Sequence, residues 1–290
     1  MRIQIMGAGA LGSLFGYFLL KGGYEVIFVA RGEQYRALKE NGLVITGIEE
    51  HKAEVSVTRY PENSDLVFLT VKAYDTLEAS KLLRSVRFDA VCSLQNGVGN
   101  EEILARFFDN VVGGVTTYGA NLVGPGKVMY AGKGKTMLGN YRGDYAEVFF
   151  EVLSNSGVDA EVVDDIEMRI WEKAAINAVI NPITAICRFR NGKVIEIPEV
   201  WEIAERTAVE CQEILMRMGY RLDVVKMVRE VALRTSENRS SMLQDIERGR
   251  KTEVEFINGA FVRKGEEFGV DVHYNRTLLN LIRGIELGVD

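Results

Sequence analysis

Three polar residues stand four apart in WEKAAINAVINP: Lys173, Asn177 and Asn181. On a helix, steps of four stay on one face with a drift of about 40° per step, so an ammonium and two amides line up as one stripe. Ala174, Ala175, Ile176, Ala178, Val179 and Ile180 surround them and are apolar enough to bury the other faces. A stripe turned toward a ligand could meet a developing oxyanion and donate a proton to it. A stripe turned toward water would be an ordinary surface. The spacing leaves both readings open, and Asn181-Pro182 suggests a kink on the stripe's face.

A second chemical pattern opens the chain. RIQIM reads as a buried strand, and Gly7, Gly9 and Gly12 follow it at G-x-G-x-x-G spacing ahead of an apolar helix and a second strand, EVIFVA. That order is the dinucleotide-binding βαβ unit. Gly7 permits the turn, Gly9 lets backbone approach a pyrophosphate, and Gly12 lets helix and strand pack closely. The phosphates would meet the unpaired N–H groups of the helix start. The second strand ends in Val29-Ala30-Arg31 where an NAD site usually carries a carboxylate. An arginine there favours the 2′-phosphate of NADP, with NADH still possible.

A third polar group lies in TSENRSSMLQDIERGRKTEVEFINGAFV. Ser240 and Ser241 fall in a break between helices. Thr252 and Glu255 have capping-box spacing, which puts Glu253 in the first turn of the next helix. Hydroxyls and a carboxylate there could hold a hydroxy acid, or simply punctuate a turn and favour the positive helix end.

Composition narrows the chemistry. The chain has 290 residues, 47% of them apolar, enough for one large core or two moderate ones. A net charge of −6 with no basic stripe argues against nucleic acid. The absence of a long apolar run and of a leader-like start argues against a membrane and for the cytoplasm. Cys92, Cys187 and Cys211 are scattered and read as reduced core thiols. His51, in a probable hairpin, and His273, ahead of the last helix, read as surface residues, so neither a His–Asp proton relay nor a metal site is expected.

The elements that must position these groups fall into two blocks. Residues 1–164 are α/β in pattern: NGLVITG and EVSVTRY look like a hairpin insertion, DLVFLTV and AVCSL are buried strands, and VVGGVTTYGA and KVMYAG close the strand-rich portion. Residues 165–290 read as helices over Asp165–Cys187, Glu199–Met218, Val224–Ser236, Thr252–Phe268 and Asn275–Leu287. The expected fold is α/β: an N-terminal Rossmann-type dinucleotide-binding domain, then an all-helical C-terminal domain for substrate and dimerisation, with the site in the cleft between.

The motifs together carry a family resemblance. GAGALGSLFG, TVKAYDT, LQNGVGNEE, WEKAAINAVINPITAI and ENRSSMLQDIERGRKTEVEFINGAF stand in one order across nearly the whole chain. In this the chain resembles the ketopantoate reductases, NADPH-dependent enzymes of pantothenate and coenzyme A biosynthesis. The resemblance implies hydride delivery to C2 of a small 2-oxo acid, with Lys173 as the catalytic acid. It places substrate binding on Asn96, Asn177, Asn181, Asn191, Asn238, Ser241 and Glu253. On the cofactor side it places Gly7, Ala8, Gly9, Ala10, Leu11, Gly12, Arg31, Lys72, Asn96, Ala120 and Glu253, with Arg31 and Lys72 sharing the 2′-phosphate. A homodimer is expected as well. The alternatives are a related reductase of another small 2-oxo acid and a nonenzymatic NADP sensor signalling through its helices.

Overall fold

The computed structural model describes residues 1–288. The chain divides into two compact units, one made of Met1–Gln95 and Asn100–Arg169, the other of Asn96–Gly99 and the chain from Ile170 onward. A cut at 164/165 would thus place the first turn of a helix, and the four residues Asn96–Gly99, on the other side.

The first unit runs β1 (Arg2–Met6), α1 (Ala10–Lys21), β2 (Glu25–Val29), α2 (Gly32–Asn41), β3 (Leu43–Gly47), β4 (His51–Ala53), β5 (Ser56–Thr58) and β6 (Leu66–Leu69). It continues through α3 (Thr76–Leu83), β7 (Ala90–Ser93), α4 (Asn100–Ala105), β8 (Val111–Thr116), β9 (Gly119–Gly124), β10 (Lys127–Gly132), β11 (Thr136–Arg142), α5 (Ala146–Asn155) and β12 (Ala160–Val162). Eight strands form one sheet in the order β12-β11-β8-β7-β6-β1-β2-β5, parallel except where β11 runs against β8. The order reverses beside β1, whose partners are β2 on one side and β6 on the other. In such sheets ligands bind outside the carboxyl ends of the strands at the reversal.

A second sheet, β4-β3-β10-β9, lies across α1, which packs on strands of both sheets. That double contact explains why α1 is apolar nearly all round, and why Gly16 is glycine: a Cβ there would stand 2.2 Å from the Phe28 ring. Phe15, Phe28, Phe68 and Phe149 fill the core around it.

The hairpin expected from NGLVITG and EVSVTRY forms differently. β3 turns back onto β4, while EVSVTRY supplies β5, which pairs in parallel with β2 at the edge of the large sheet. Alternating residues suit either partner, so the pattern could not choose. Cys187 is a further correction, since it is exposed at a helix end while Cys92 and Cys211 are buried. His51 and His273 are exposed, and His273 pairs with Asp271 at 3.2 Å.

The second unit is helical: α6 (Ile166–Cys187), which begins in the first unit, then α7 (Lys193–Glu196), α8 (Pro198–Arg217), α9 (Val224–Arg234), α10 (Ser241–Glu247), α11 (Asn258–Phe268) and α12 (His273–Leu287). Asp165 caps α6 by accepting from the Met168 amide at 2.8 Å, so the helix starts where the polar cap residue puts it. The core centres on Trp171, whose ring meets Phe261 edge-on, and on Cys211, Ile214, Val228 and Ile282. No helix among the described residues is long and apolar enough to cross a membrane.

Candidate active site

In the first unit the glycine turn is built as its spacing demands. Gly7 sits at φ +111°, and a Cβ there would strike the Val71 backbone at 2.7 Å. A Cβ on Gly12 would lie 2.2 Å from the Gly7 carbonyl. Gly9 is the contrast, with nothing within 4 Å of where its Cβ would stand. Gly9 also precedes α1 without any side-chain cap. The first amides of a helix have no acceptor within it, and here they follow an uncapped, uncrowded Gly9, which fits a pyrophosphate. Gly7 and Ala8 donate to the Val29 carbonyl at 3.2 and 3.3 Å, which brings the end of β2 against the turn. Arg31, two residues on, is exposed at the start of α2.

Lys72 follows β6, on the far side of β1 from Arg31. Two strand spacings separate their carboxyl ends, about 10 Å. The two cations therefore start on opposite sides of the glycine turn, a separation that an arginine and a lysine side chain can bridge together. Ala120, on β9, is half-buried against the α1 layer.

Sequence reading missed the side chains that hold this rim. Gln34 donates to the Ala8 carbonyl at 2.7 Å and accepts from the Gly126 amide at 2.9 Å. Gln95 donates to the Val71 carbonyl and to Thr76, each at 2.8 Å, and Thr76 bonds Asn100 at 2.8 Å. Neither glutamine has periodicity to reveal it. Gln95 had only its place beside Asn96 as a signal.

In the second unit Lys173, Asn177 and Asn181 rise along α6 on one stripe, the lysine half-buried and Asn181 buried. Glu253 is also buried, lies close enough to Lys173 to favour its charged form, and meets the Asn96 amide at 3.5 Å. Burial outweighs that attraction and brings the Lys173 ammonium down to about 8. Asn96 belongs to this unit because its loop packs on the segment after Glu253. Val98 donates to the Phe256 carbonyl at 2.8 Å, and a Cβ on Gly97, at φ +84°, would lie 2.7 Å from Phe256.

The capping box does not form. Thr252 accepts from the Val254 amide at 3.2 Å in a short hydroxyl turn, and Glu255 turns to Arg283 at 2.8 Å. A single 3₁₀ turn, Val254–Phe256, separates Glu253 from α11, so Glu253 is not in an α-helical first turn.

Ser240 caps α10 by accepting from Leu243 at 3.1 Å and shares a 2.7 Å bond with Thr184 of α6. This ties Ser241, exposed at the start of α10, to the helix of the lysine. Asn191 is buried and its side chain donates to Thr235 at 2.9 Å, while its backbone N–H donates to the Asn238 backbone carbonyl at 3.0 Å. Those two asparagines pair with each other, Asn238 exposed and Asn191 engaged in holding the loop. Lys173, Glu253 and Asn96 are the groups drawn together.

Models of known families match both parts of the chain: Ketopantoate reductase PanE/ApbA over residues 3–143, and Ketopantoate reductase PanE/ApbA C terminal over residues 165–286. The chain belongs to the ketopantoate reductase PanE/ApbA family. It is 57% identical over 99% of both chains to a 2-dehydropantoate 2-reductase of Archaeoglobus fulgidus, and 37% identical to one of Pyrococcus abyssi over 99% of this chain and 98% of that one. Among solved structures it is similar to a PanE/ApbA family ketopantoate reductase from Ralstonia eutropha, with a TM-score of 0.92, 29% identity and coverage of 99% and 98%. A D-mandelate dehydrogenase with NADH and anilino(oxo)acetate matches equally well, at 0.92 and 29% with coverage of 99% and 98%. The PanE/ApbA fold thus accommodates more than one substrate, and side chains have to decide which.

Proposed function

We propose that the protein reduces 2-dehydropantoate to (R)-pantoate with NADPH, and that Lys173 supplies the proton. The observation that carries this reading is the lysine itself: an amine brought down to about 8 by burial, beside a buried carboxylate, in a chain 57% identical to a curated 2-dehydropantoate 2-reductase. Bound nicotinamide supplies the hydride for C2 of the 2-oxo acid. As C2 is reduced, negative charge grows on its oxygen, where the Lys173 ammonium stabilises it and then gives up a proton. At neutral pH an amine of this strength is protonated, yet it yields its proton more readily than an ordinary lysine.

Glu253 accepts a hydrogen bond from the substrate's terminal hydroxyl, Asn177 and Asn181 line its path along α6, and Ser241 meets the carboxylate. Asn96 orients Glu253. On the cofactor, the glycine turn holds the pyrophosphate and Arg31 the 2′-phosphate. The protein works as a homodimer.

The test is turnover of purified protein with NADPH and a panel of 2-dehydropantoate, oxaloacetate, 2-oxoisovalerate and, because of the mandelate dehydrogenase likeness, 2-oxo-2-phenylacetate. The reading requires the highest kcat/KM for 2-dehydropantoate. A higher value for another acid would reassign the substrate, and no turnover of any would favour the sensor alternative.

A further inference from the structure

Pro182 lies inside α6 without ending it. A proline has no N–H, so the carbonyl four residues back, that of Ala178, loses its helical donor. A buried carbonyl left in that state is costly. Asn258, fully buried at the start of α11, fills the gap: its side-chain amide donates to the Ala178 carbonyl at 2.8 Å.

The bond joins two particular segments. Ala178 follows Asn177 directly and lies five residues beyond Lys173. Asn258 lies five residues beyond Glu253, with the single 3₁₀ turn Val254–Phe256 between them. Behind Asn258 the chain of bonds continues inward. The same amide donates to the Asn275 side-chain oxygen at 3.1 Å, and Asn275 donates to the Glu210 carboxylate at 2.9 Å. Glu210, on α8, also accepts the backbone amides of Tyr274 and Asn275 at 2.7 and 2.9 Å, and so anchors the start of α12. A buried, connected network of this kind has few alternative arrangements.

We propose that Asn258 is the positioning residue of the site, holding the proline-interrupted helix of Lys173 in register with the segment of Glu253. The inference rests on the reading of Lys173 and Glu253 given above. It touches neither substrate nor cofactor; its effect passes through the Ala178 carbonyl. Pro182 and Asn258 are then one device, a missing donor and its replacement.

The experiment is a double-mutant cycle with Asn258→Ala and Pro182→Ala, since alanine at 182 returns a backbone N–H to the Ala178 carbonyl. Asn258→Ala is expected to lower kcat about tenfold or more, the scale of a small misplacement of catalytic groups. Affinity for NADPH, read by nucleotide fluorescence, should stay within about twofold. The pH dependence of Lys173 acylation, followed by peptide mass spectrometry, should shift away from the wild-type curve. Adding Pro182→Ala should recover most of the lost kcat and return the acylation curve, relative to Pro182→Ala alone. The proposal is overturned if folded Asn258→Ala keeps kcat and the wild-type acylation curve, or if the double variant is no better than Asn258→Ala. It is overturned too if Asn258→Ala does not fold and Pro182→Ala fails to restore folding. Should wild type itself not turn over 2-dehydropantoate, the proposed activity falls, while the acylation curves still decide whether Asn258 sets the state of Lys173.

Discussion

The burial that lowers the Lys173 ammonium to about 8 has kinetic and thermodynamic consequences. If Lys173 is the acid, kcat is flat below pH 8 and falls above it as the proton is lost. Lys173→Ala should lose about 10²–10⁴-fold in kcat while NADPH still binds. For stability the sign is opposite to that of a lysine gaining a partner. The folded state disfavours the charged amine, so its cost is complete below about 8 and disappears above the ordinary lysine value of about 10.4. Wild type should therefore gain stability relative to Lys173→Met as pH rises through that window, as chemical denaturation at several pH values would show; a constant difference would remove the buried charge from the account. In the proposed reaction Glu253 is the group that reads the substrate's hydroxyl. A desolvated carboxylate left without a hydroxyl partner penalises a substrate lacking it. Hence 2-oxoisovalerate should be much poorer than 2-dehydropantoate in wild type, and the gap should narrow in Glu253→Ala; parallel losses for both acids would give Glu253 a purely supporting role. The α6 spacing left Lys173 open between site and surface, and only the ordered motifs singled out Lys173 and Glu253. The supporting amides, Asn258 behind α6 and Gln95 at the nucleotide rim, were not legible, because a buried amide has no sequence period and declares itself only by the carbonyl it meets.

At the scale of elements, strand order sets where the two cations offered for the 2′-phosphate begin. Arg31 follows β2 and Lys72 follows β6, with β1 and the glycine turn between them. With strand ends about two spacings apart, Arg31 and Lys72 could converge on one 2′-phosphate, or Arg31 could hold it while Lys72 meets the part of the cofactor common to NADPH and NADH. If Arg31 alone holds the phosphate, Arg31→Ala should raise KM for NADPH with little change for NADH, whereas Lys72→Ala should weaken both. A Lys72→Ala loss confined to NADPH would restore the shared phosphate. The order of strands is what the sequence could not give. βαβ periodicity identified β1, α1 and β2 because burial on both faces leaves an apolar run, yet the same pattern could not assign EVSVTRY to β2 rather than to a hairpin. Helix ends were legible where a polar cap stood, as at Asp165. They were misread at Thr252, where capping-box spacing instead made a hydroxyl turn and Glu255 went to Arg283.

For the whole molecule, the division into an α/β block and a helical block followed from the change of hydrophobic period, but Asn96–Gly99 packs with the helical unit despite its place in the α/β sequence. Tertiary contacts account for that: Gly97 under Phe256, Val98 on the Phe256 carbonyl and Asn96 at Glu253. The helical unit also keeps apolar side chains on its surface at heptad spacing: Val209 and Met216 on α8 are 47% and 59% exposed, and Tyr274 and Leu281 on α12 are 38% and 49% exposed. Single exposed apolar residues are ordinary, but two such pairs on helices that pack together are suited to covering by a second copy. If that face makes the homodimer, sedimentation at micromolar concentration should give twice the chain mass of 32.4 kDa. Val209→Glu with Met216→Glu should shift it to the single mass, because two carboxylates per copy cannot be desolvated without partners. Wild type sedimenting as one chain would remove the dimer. Charged variants that remain dimeric would move the interface off α8.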